Sequence, residues 1–326
     1  MTRREFFART AVLATLPRLA AASRATAADL PHDIRAGAAD ALFVSLNGAL
    51  TRGVSGADKV RLAARVGYGG VDWDLGPAKT AGLEATRALF AETRIVPTIV
   101  NLPLPRPLPF SGEDAAFADA LKALAEDAAF TAAVGCRKMM VVLPASTQLS
   151  RADQRRLAVE RLTAIATVLK ASDIRLGLEF LGPLYFRTGR ADGPKTEPFI
   201  WNMPDAVQLA ADTGDNVGVI LDAWHWHHSG STTKDITDAG APRIVHVHIS
   251  DAKVMPAEDV RDNMRLMPGE GVIDLVGFLQ ALRRAGYTGG ISPEPLGRVP
   301  NDMTPEAAAA LALETTRAVM RKAGVA

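Results

Sequence analysis

Four short apolar runs in the second half of the chain each end in a residue that can bind a cation. They are Ile174-Arg175-Leu176-Gly177-Leu178-Glu179, Val217-Gly218-Val219-Ile220-Leu221-Asp222, Ile244-Val245-His246-Val247-His248 and Gly290-Ile291-Ser292-Pro293-Glu294. Each reads as a buried strand, rich in aliphatic or β-branched residues and bounded by glycine or loop chemistry. Side chains alternate along a strand, so Glu179, Asp222, His248 and Glu294 can all face inward while their neighbours pack outward. A single glutamate after an apolar run is ordinarily a solvated strand end. Repetition in four successive strands instead points to one shared cation site of three carboxylates and one imidazole.

The rest of the chain supplies the frame. Strand-like segments at Leu42–Leu46, Gly70–Trp73, Ile95–Asn101 and Lys138–Leu143 precede the four runs. Helix-like segments alternate with them, over Ala57–Val66, Leu83–Thr93, a stretch capped by Ser111 with Asp114, and one opened by Ser150 with Asp153. Further helices are expected near Pro204, near Lys234, from Asp274, and after Thr304 with Pro305 in the first turn. Alternation of β and α with short connections implies a parallel sheet. Eight such units predict an α/β fold of the (β/α)8 TIM barrel type, with a doubly wound sheet as the alternative; no glycine-rich first turn supports the latter. In a barrel the active groups lie at the strand C-termini, where the four candidate ligands fall. The segment 102–112, with Pro103, Pro105, Pro107 and Pro109, is too proline-rich for a helix and is expected to form a lid or wall over the barrel mouth.

A cation held by Glu179, Asp222, His248 and Glu294 has mostly oxygen donors. That favours manganese, with cobalt, magnesium or zinc as alternatives, over a closed structural zinc site. Open coordination positions would accept a hydroxy-carbonyl substrate, and Lewis-acid stabilisation of an enediolate would acidify the adjacent C–H. Glu179 and Glu294 would then serve as the catalytic pair, one removing the proton and the other returning it. His225, three residues after Asp222, is a candidate hydrogen-bond partner for a substrate oxygen. Asn101, Arg187 and Lys253 are rim polar candidates. Trp224, with Trp201 and Trp226, is a candidate for stacking on a sugar ring. His227 and His228 read as loop surface, and His246 as a core histidine.

These elements resemble the sugar phosphate isomerase/epimerase superfamily, with its xylose-isomerase-like barrel. The resemblance rests on Gly67-Tyr68-Gly69-Gly70-Val71-Asp72, Leu178-Glu179-Phe180, Leu221-Asp222-Ala223-Trp224-His225, His246-Val247-His248-Ile249-Ser250-Asp251, Pro268-Gly269-Glu270-Gly271-Val272-Ile273-Asp274 and Ser292-Pro293-Glu294. It implies Glu179, Asp222, His248 and Glu294 as metal ligands and the two glutamates as acid and base, as in ketose 3-epimerases. Tyr185 stands where those epimerases carry a second glutamate, and Ser250 where many relatives carry lysine. The leading expectation is a metal-dependent isomerase or epimerase of an unphosphorylated sugar or keto-sugar. A lyase expelling the aglycone of 3-keto-glycosides shares its first step, and a non-catalytic carbohydrate-binding barrel is the reading from another class.

The amino terminus sets expectations about compartment. Thr2-Arg3-Arg4-Glu5-Phe6-Phe7, a modest apolar stretch and Ala25-Thr26-Ala27 describe a signal peptide over residues 1–28, of the twin-arginine type, ahead of one catalytic domain over 29–326. Periplasmic or secreted localisation through the twin-arginine export machinery is then expected, with no stable membrane span. Five arginines against Glu5 give that segment +4 of the overall +1, so the remainder carries −3. A mildly acidic body argues against nucleic acid as a partner. The expected partner is a small carbohydrate, and homo-oligomerisation is left open. Cys136 is the one cysteine in the chain, so no internal disulfide forms.

Overall fold

The computed structural model describes residues 41–188, 194–299 and 303–326, so the expected signal segment lies outside the described residues. Eight parallel strands close into a barrel. They are β1 (Leu42–Leu46), β2 (Gly70–Asp72), β3 (Val96–Asn101), β4 (Lys138–Val142), β5 (Arg175–Glu179), β6 (Val217–Asp222), β7 (Ile244–Ile249) and β8 (Gly289–Pro293). Each pairs with its neighbour in sequence, and β1 pairs with β8 through Leu42, Phe43 and Val44 opposite Gly289, Gly290 and Ile291. All eight strands fall where the apolar runs predict them, within a residue of each end.

The helices form the outer layer: α1 (Gly56–Val66), α2 (Leu75–Ala81), α3 (Leu83–Thr93), α4 (Asp114–Val134), α5 (Arg151–Lys170), α6 (Met203–Thr213), α7 (Ala223–His228), α8 (Thr233–Arg243), α9 (Leu275–Arg284) and α10 (Pro305–Ala323). Their starts follow local capping. Ser150, Asn202, Thr232, Asp274 and Thr304 each accept a hydrogen bond from a backbone N–H of the first turn. The weakly marked helix near Lys234 has a full capping box between Thr232 and Asp235. The start of α4 differs from expectation. Glu113 is its N-cap and makes no side-chain cap bond, while Ser111 donates to the carbonyl of Pro107 instead. The proline turns compete successfully for that hydroxyl.

The barrel interior is not uniformly apolar. Beneath the C-terminal rim, Ser45, Thr98, His246 and Ser292 are buried together. Gly290 makes room for them: a Cβ there would stand 2.7 Å from Thr98 Cγ2 and 3.1 Å from His246 Cε1. Large side chains fill the space between strands and helices, among them Phe180, Phe199, Phe278, Leu162 and Ile165.

Two irregular segments cap the rim. Residues 102–112 form a fixed wall, not a hinged lid. Arg161 of α5, only 3% exposed, donates to the carbonyls of Leu108, Ser111 and Gly112 and to Asp114. Gln154 of the same helix donates to the carbonyl of Phe110. The second segment, 250–272, is folded around Asp251. Its carboxylate accepts the N–H groups of Ala252, Gly269 and Ile273, and its backbone pairs with Leu266. That anchoring explains the Pro268-Gly269-Glu270-Gly271 turn and delivers Arg265 to the barrel mouth.

Candidate active site

The strand ends bring Glu179 (β5), Asp222 (β6), His248 (β7) and Glu294 (first residue after β8) together, with donor atoms all within 4.8 Å of one another. His248 Nδ1 lies 3.2 Å from Glu179 Oε1 and 3.6 Å from Glu294 Oε2. Asp222 is fully buried and also caps α7, accepting the Trp224 N–H at 2.8 Å. Burial disfavours the imidazolium of His248, but Glu294 and Glu179 outweigh it and raise its pKa well above the ordinary value. Burial likewise raises the Asp222 and Glu294 carboxyls, and the cations beside them more than offset it: Arg265 first for Asp222, His248 first for Glu294.

Arg265 is the most deeply engaged of the site residues that sequence reasoning missed. It is 2% exposed. Nη1 donates to Asp222 Oδ2 at 2.6 Å and Glu294 Oε2 at 2.9 Å, while Nη2 donates to Asp262 Oδ1 at 2.6 Å. Its guanidinium also lies over the Trp224 ring, 5.6 Å from the centroid. No periodicity marks an arginine in an irregular loop. The buried Asp251 hub that positions it becomes legible only in three dimensions.

Three more residues complete the centre. Asn47, directly after β1, donates to Asp72 Oδ2 at 3.1 Å and to Glu294 Oε1 at 3.4 Å. Asp72, at the end of β2, accepts from Ser45 and Ser292 and stands 3.8 Å from His248 Nε2. It lies on the far side of that imidazole from the two glutamates, where an outer carboxylate orients a ligating histidine. Burial raises its carboxyl, and His246, His248 and Ser45 outweigh that and hold it at about 2. Lys59 of α1 is buried and paired with Asp74 at 2.8 Å. Its place on a helix with many charges gave no sign that it faces the mouth.

The cluster floors a pocket of about 350 Å³ lined by Glu179, Glu294, His248, His225, Asn101 and Arg265 among others. His225 is 1% exposed. Its Nδ1 receives the Gly182 N–H at 3.3 Å, and Nε2 stands 3.1 Å from Arg265 Nη2. A Cβ on Gly182 would fall 2.0 Å from the His225 carbonyl oxygen, so glycine is required for this approach.

The remaining candidates are placed elsewhere. Lys253 is exposed on the 250–272 loop, outside the pocket lining. Arg187 is committed to the carbonyls of Gly182 and His228 and stacks on Trp201 at 3.6 Å, so its guanidinium supports a loop. Trp224 is buried behind Arg265, with its ring 4.4 Å from that of His228, and does not line the pocket. Trp226 packs on Phe278. His227 and His228 belong to α7 and are half-buried, not loop surface. His246 is buried, donates or accepts at Ser292 through Nε2 at 2.8 Å, and has its pKa lowered to about 4 by burial.

The residues fit a divalent cation. Three carboxylates, Glu179 and Asp222 buried and Glu294 partly so, converge on one imidazole beside the Arg265 guanidinium, and they outnumber these two cationic partners. Buried charge of one sign is costly without compensation, and a dication supplies it.

A closed (β/α)8 barrel with a carboxylate–imidazole cluster at its C-terminal rim defines the class. The sequence matches the xylose isomerase-like TIM barrel family over residues 60–319, and the chain belongs to that family. It is 27% identical over 186 residues to the inosose isomerase of Halalkalibacterium halodurans, a match covering 56% of this chain and 62% of that protein. The chain therefore matches less than two thirds of that relative's length. The fold is similar to a xylose isomerase domain protein from Alicyclobacillus acidocaldarius, with TM-score 0.78, 29% identity and coverage of 87% of this chain and 100% of the other. It is also similar to the IOLI protein, described with a binding zinc atom, with TM-score 0.72, 22% identity and coverage of 86% and 98%.

Proposed function

We propose that this protein is a divalent-cation-dependent isomerase or epimerase of an unphosphorylated sugar or keto-sugar. The observation that carries the reading is the pairing of Glu179 and Glu294 across His248, at the floor of one pocket. Two carboxylates converging from β5 and β8 can act from two sides of one substrate carbon. One takes the proton from the carbon beside the carbonyl, the electron pair moves onto the carbonyl oxygen, and the other carboxylate returns a proton. A bound cation supplies Lewis-acid stabilisation of the negative charge that develops on that oxygen; the oxygen-rich donor set supports manganese.

The chain's own groups have distinct tasks in this reading. Arg265 and Asn47 hold Glu294 in place, whereas Glu179 keeps His248 as its hydrogen-bond partner. His225 faces N–H donors at both ring nitrogens, and a neutral imidazole accepts at only one. A substrate hydroxyl or carbonyl can therefore take over the other contact. Asp72, Asp74, Glu179, Asp262 and Glu294 line the pocket against Lys59, Arg106 and Arg265. That balance leaves no surplus positive charge for a phosphate group, which supports an unphosphorylated substrate.

The test is exchange in deuterated water with candidate keto-sugars and added manganese. Deuterium should enter at the carbon beside the carbonyl together with isomer formation. Release of an alcohol without a new isomer would replace isomerisation with elimination; binding of sugar with neither exchange nor turnover would favour a binding protein. Export is proposed on Arg3 and Arg4. Replacing both with lysine should retain the folded protein in the cytoplasm, and unimpaired export would defeat that reading.

A further inference from the structure

We infer that the cleft beside the catalytic pocket is a second substrate subsite, and that it takes an apolar ring carried on the sugar, the aglycone of a glycoside. This rests on the sugar-converting reading of the cation cluster. The cleft measures about 870 Å³ and the catalytic pocket about 350 Å³, both within the ~300–1,000 Å³ of ligand pockets. Asn101, Arg106, Met140 and Val142 line both, so the two spaces adjoin along the ends of β3 and β4. A substrate whose reacting ring sits over Glu179 and Glu294 therefore has a path outward past Asn101 into the larger space.

The chemistry of the cleft selects its occupant. Leu102, Leu104, Phe110, Leu143, Leu149 and Leu157 supply its apolar surface. The buried polar side chains among its walls are already engaged. Gln154 donates to the Phe110 carbonyl and accepts from Thr147, whose hydroxyl in turn receives the Leu149 N–H. Of the other polar side chains in the lining, Ser111 donates to the Pro107 carbonyl, and Asn101, Arg106, Ser146 and Gln148 remain. A second sugar ring, with a hydroxyl on nearly every carbon, has only these to replace its water. An aromatic or alicyclic ring loses nothing comparable and gains burial. The cleft is also preformed. The buried Arg161 guanidinium and Gln154 fix the 102–112 wall through four backbone carbonyls, so little ordering cost falls on the ligand. Leu149, 46% exposed at the edge, is a large apolar side chain facing solvent that such a ring would cover.

The test uses phenyl β-glucoside, methyl β-glucoside and a glucose disaccharide, which lack the ketone and do not react. Their binding to the full, manganese-loaded protein is measured by calorimetry. Burial of a phenyl ring predicts binding at least ~10-fold tighter for the phenyl than for the methyl glucoside, with the disaccharide near the methyl value. Leu149→Asp, which replaces the exposed apolar edge with charge, and Leu104→Glu, which puts charge on the wall, should each bring the phenyl-to-methyl ratio close to one. Equal binding of all three, absence of binding by any, a disaccharide that matches the phenyl glucoside, or a ratio that survives both substitutions would overturn the inference. Deuterium exchange on keto-sugars with no phenyl preference removes the subsite alone. A substitution-sensitive phenyl preference with no exchange on any keto-sugar leaves the subsite and removes the isomerase reading.

Discussion

The two halves of the barrel rim are built from different materials. The late half, β5 to β8, ends in Glu179, Asp222, His248 and Glu294, the first three buried and Glu294 partly exposed, all held by charge against charge. The early half, β1 to β4, contributes Asn47, Asp72 and Asn101 at its ends, and its connection after β3 is a wall of prolines and leucines. Here buried polar groups bind backbone carbonyls and leave an apolar surface outward. One side thus concentrates charge that can move protons and hold a cation. The other offers shape and dry surface that can hold the unreactive part of a molecule. In a barrel whose strands are interchangeable in geometry, this division is set by the residue that ends each strand and by the loop after it.

The sharpest way to break the comparison is on the charged side. Glu179→Gln and Glu294→Gln keep shape and one oxygen donor but cannot shuttle a proton. With saturating cation, each should lower turnover by ~10²–10⁴-fold, read from initial rates and deuterium incorporation. Retention of near-wild-type turnover in both would end the two-carboxylate mechanism. Arg265→Met should have the next largest effect. It leaves Asp222, Glu294 and Asp262 without their shared guanidinium, and breaking a buried ion pair costs ~3–5 kcal/mol. The loss should be clear in chelator and smaller when a divalent cation is present, by comparison of melting temperatures. A loss of equal size in both conditions would show that the cation does not share these carboxylates.

The legible part of the molecule reflects the same division. Buried parallel strands are apolar throughout, so their positions stand out, and a charged residue at the end of such a run is conspicuous. That made Glu179, Asp222, His248 and Glu294 visible as a set. Arg265 was invisible because it lies in an irregular loop, positioned by Asp251 through backbone N–H groups that no sequence spacing encodes. Lys59 was hidden by its helix, where a lysine ordinarily faces water, yet here it is 4% exposed and paired with Asp74. Trp224 and Arg187 misled in the opposite direction. Both come soon after strand ends, but local packing turns Trp224 behind Arg265 and ties Arg187 to carbonyls. The short α2 escaped notice because its Leu75-Gly76-Pro77 start reads as a turn.

On the apolar side, Arg161→Met should loosen the wall without touching the cation cluster. The carbonyls of Leu108, Ser111 and Gly112 would lose their donor. Unpairing these part-buried acceptors costs at most ~1–3 kcal/mol, less where water replaces the donor at this surface segment. Chemical denaturation should show that loss, and amide exchange over 102–112 should quicken. Cation affinity should stay at the wild-type value. A fall in cation affinity would show that the halves are coupled and not separate parts.

The smallest effect concerns protons at the charged side. In the cation-free protein, Glu294 and Glu179 raise the His248 pKa well above its ordinary 6.5. Its Nδ1 is the nitrogen that faces them. A cation can use that nitrogen only after the proton leaves, so binding and deprotonation are linked. Asp222 and Glu294 have lowered pKa values and are already ionised near neutrality, so they add no proton to the balance there. From pH 6.5 upward to the raised pKa, affinity should therefore rise by about tenfold per pH unit, or ~1.4 kcal/mol, and then level off. Below 6.5 the imidazolium persists and binding continues to weaken. Calorimetry in two buffers of different ionisation enthalpy should detect proton release on cation binding near neutral pH. Zero release, with affinity flat across this range, would mean that His248 does not take the cation through the nitrogen shared with the two glutamates, and the charged half of the rim would have to be assembled differently.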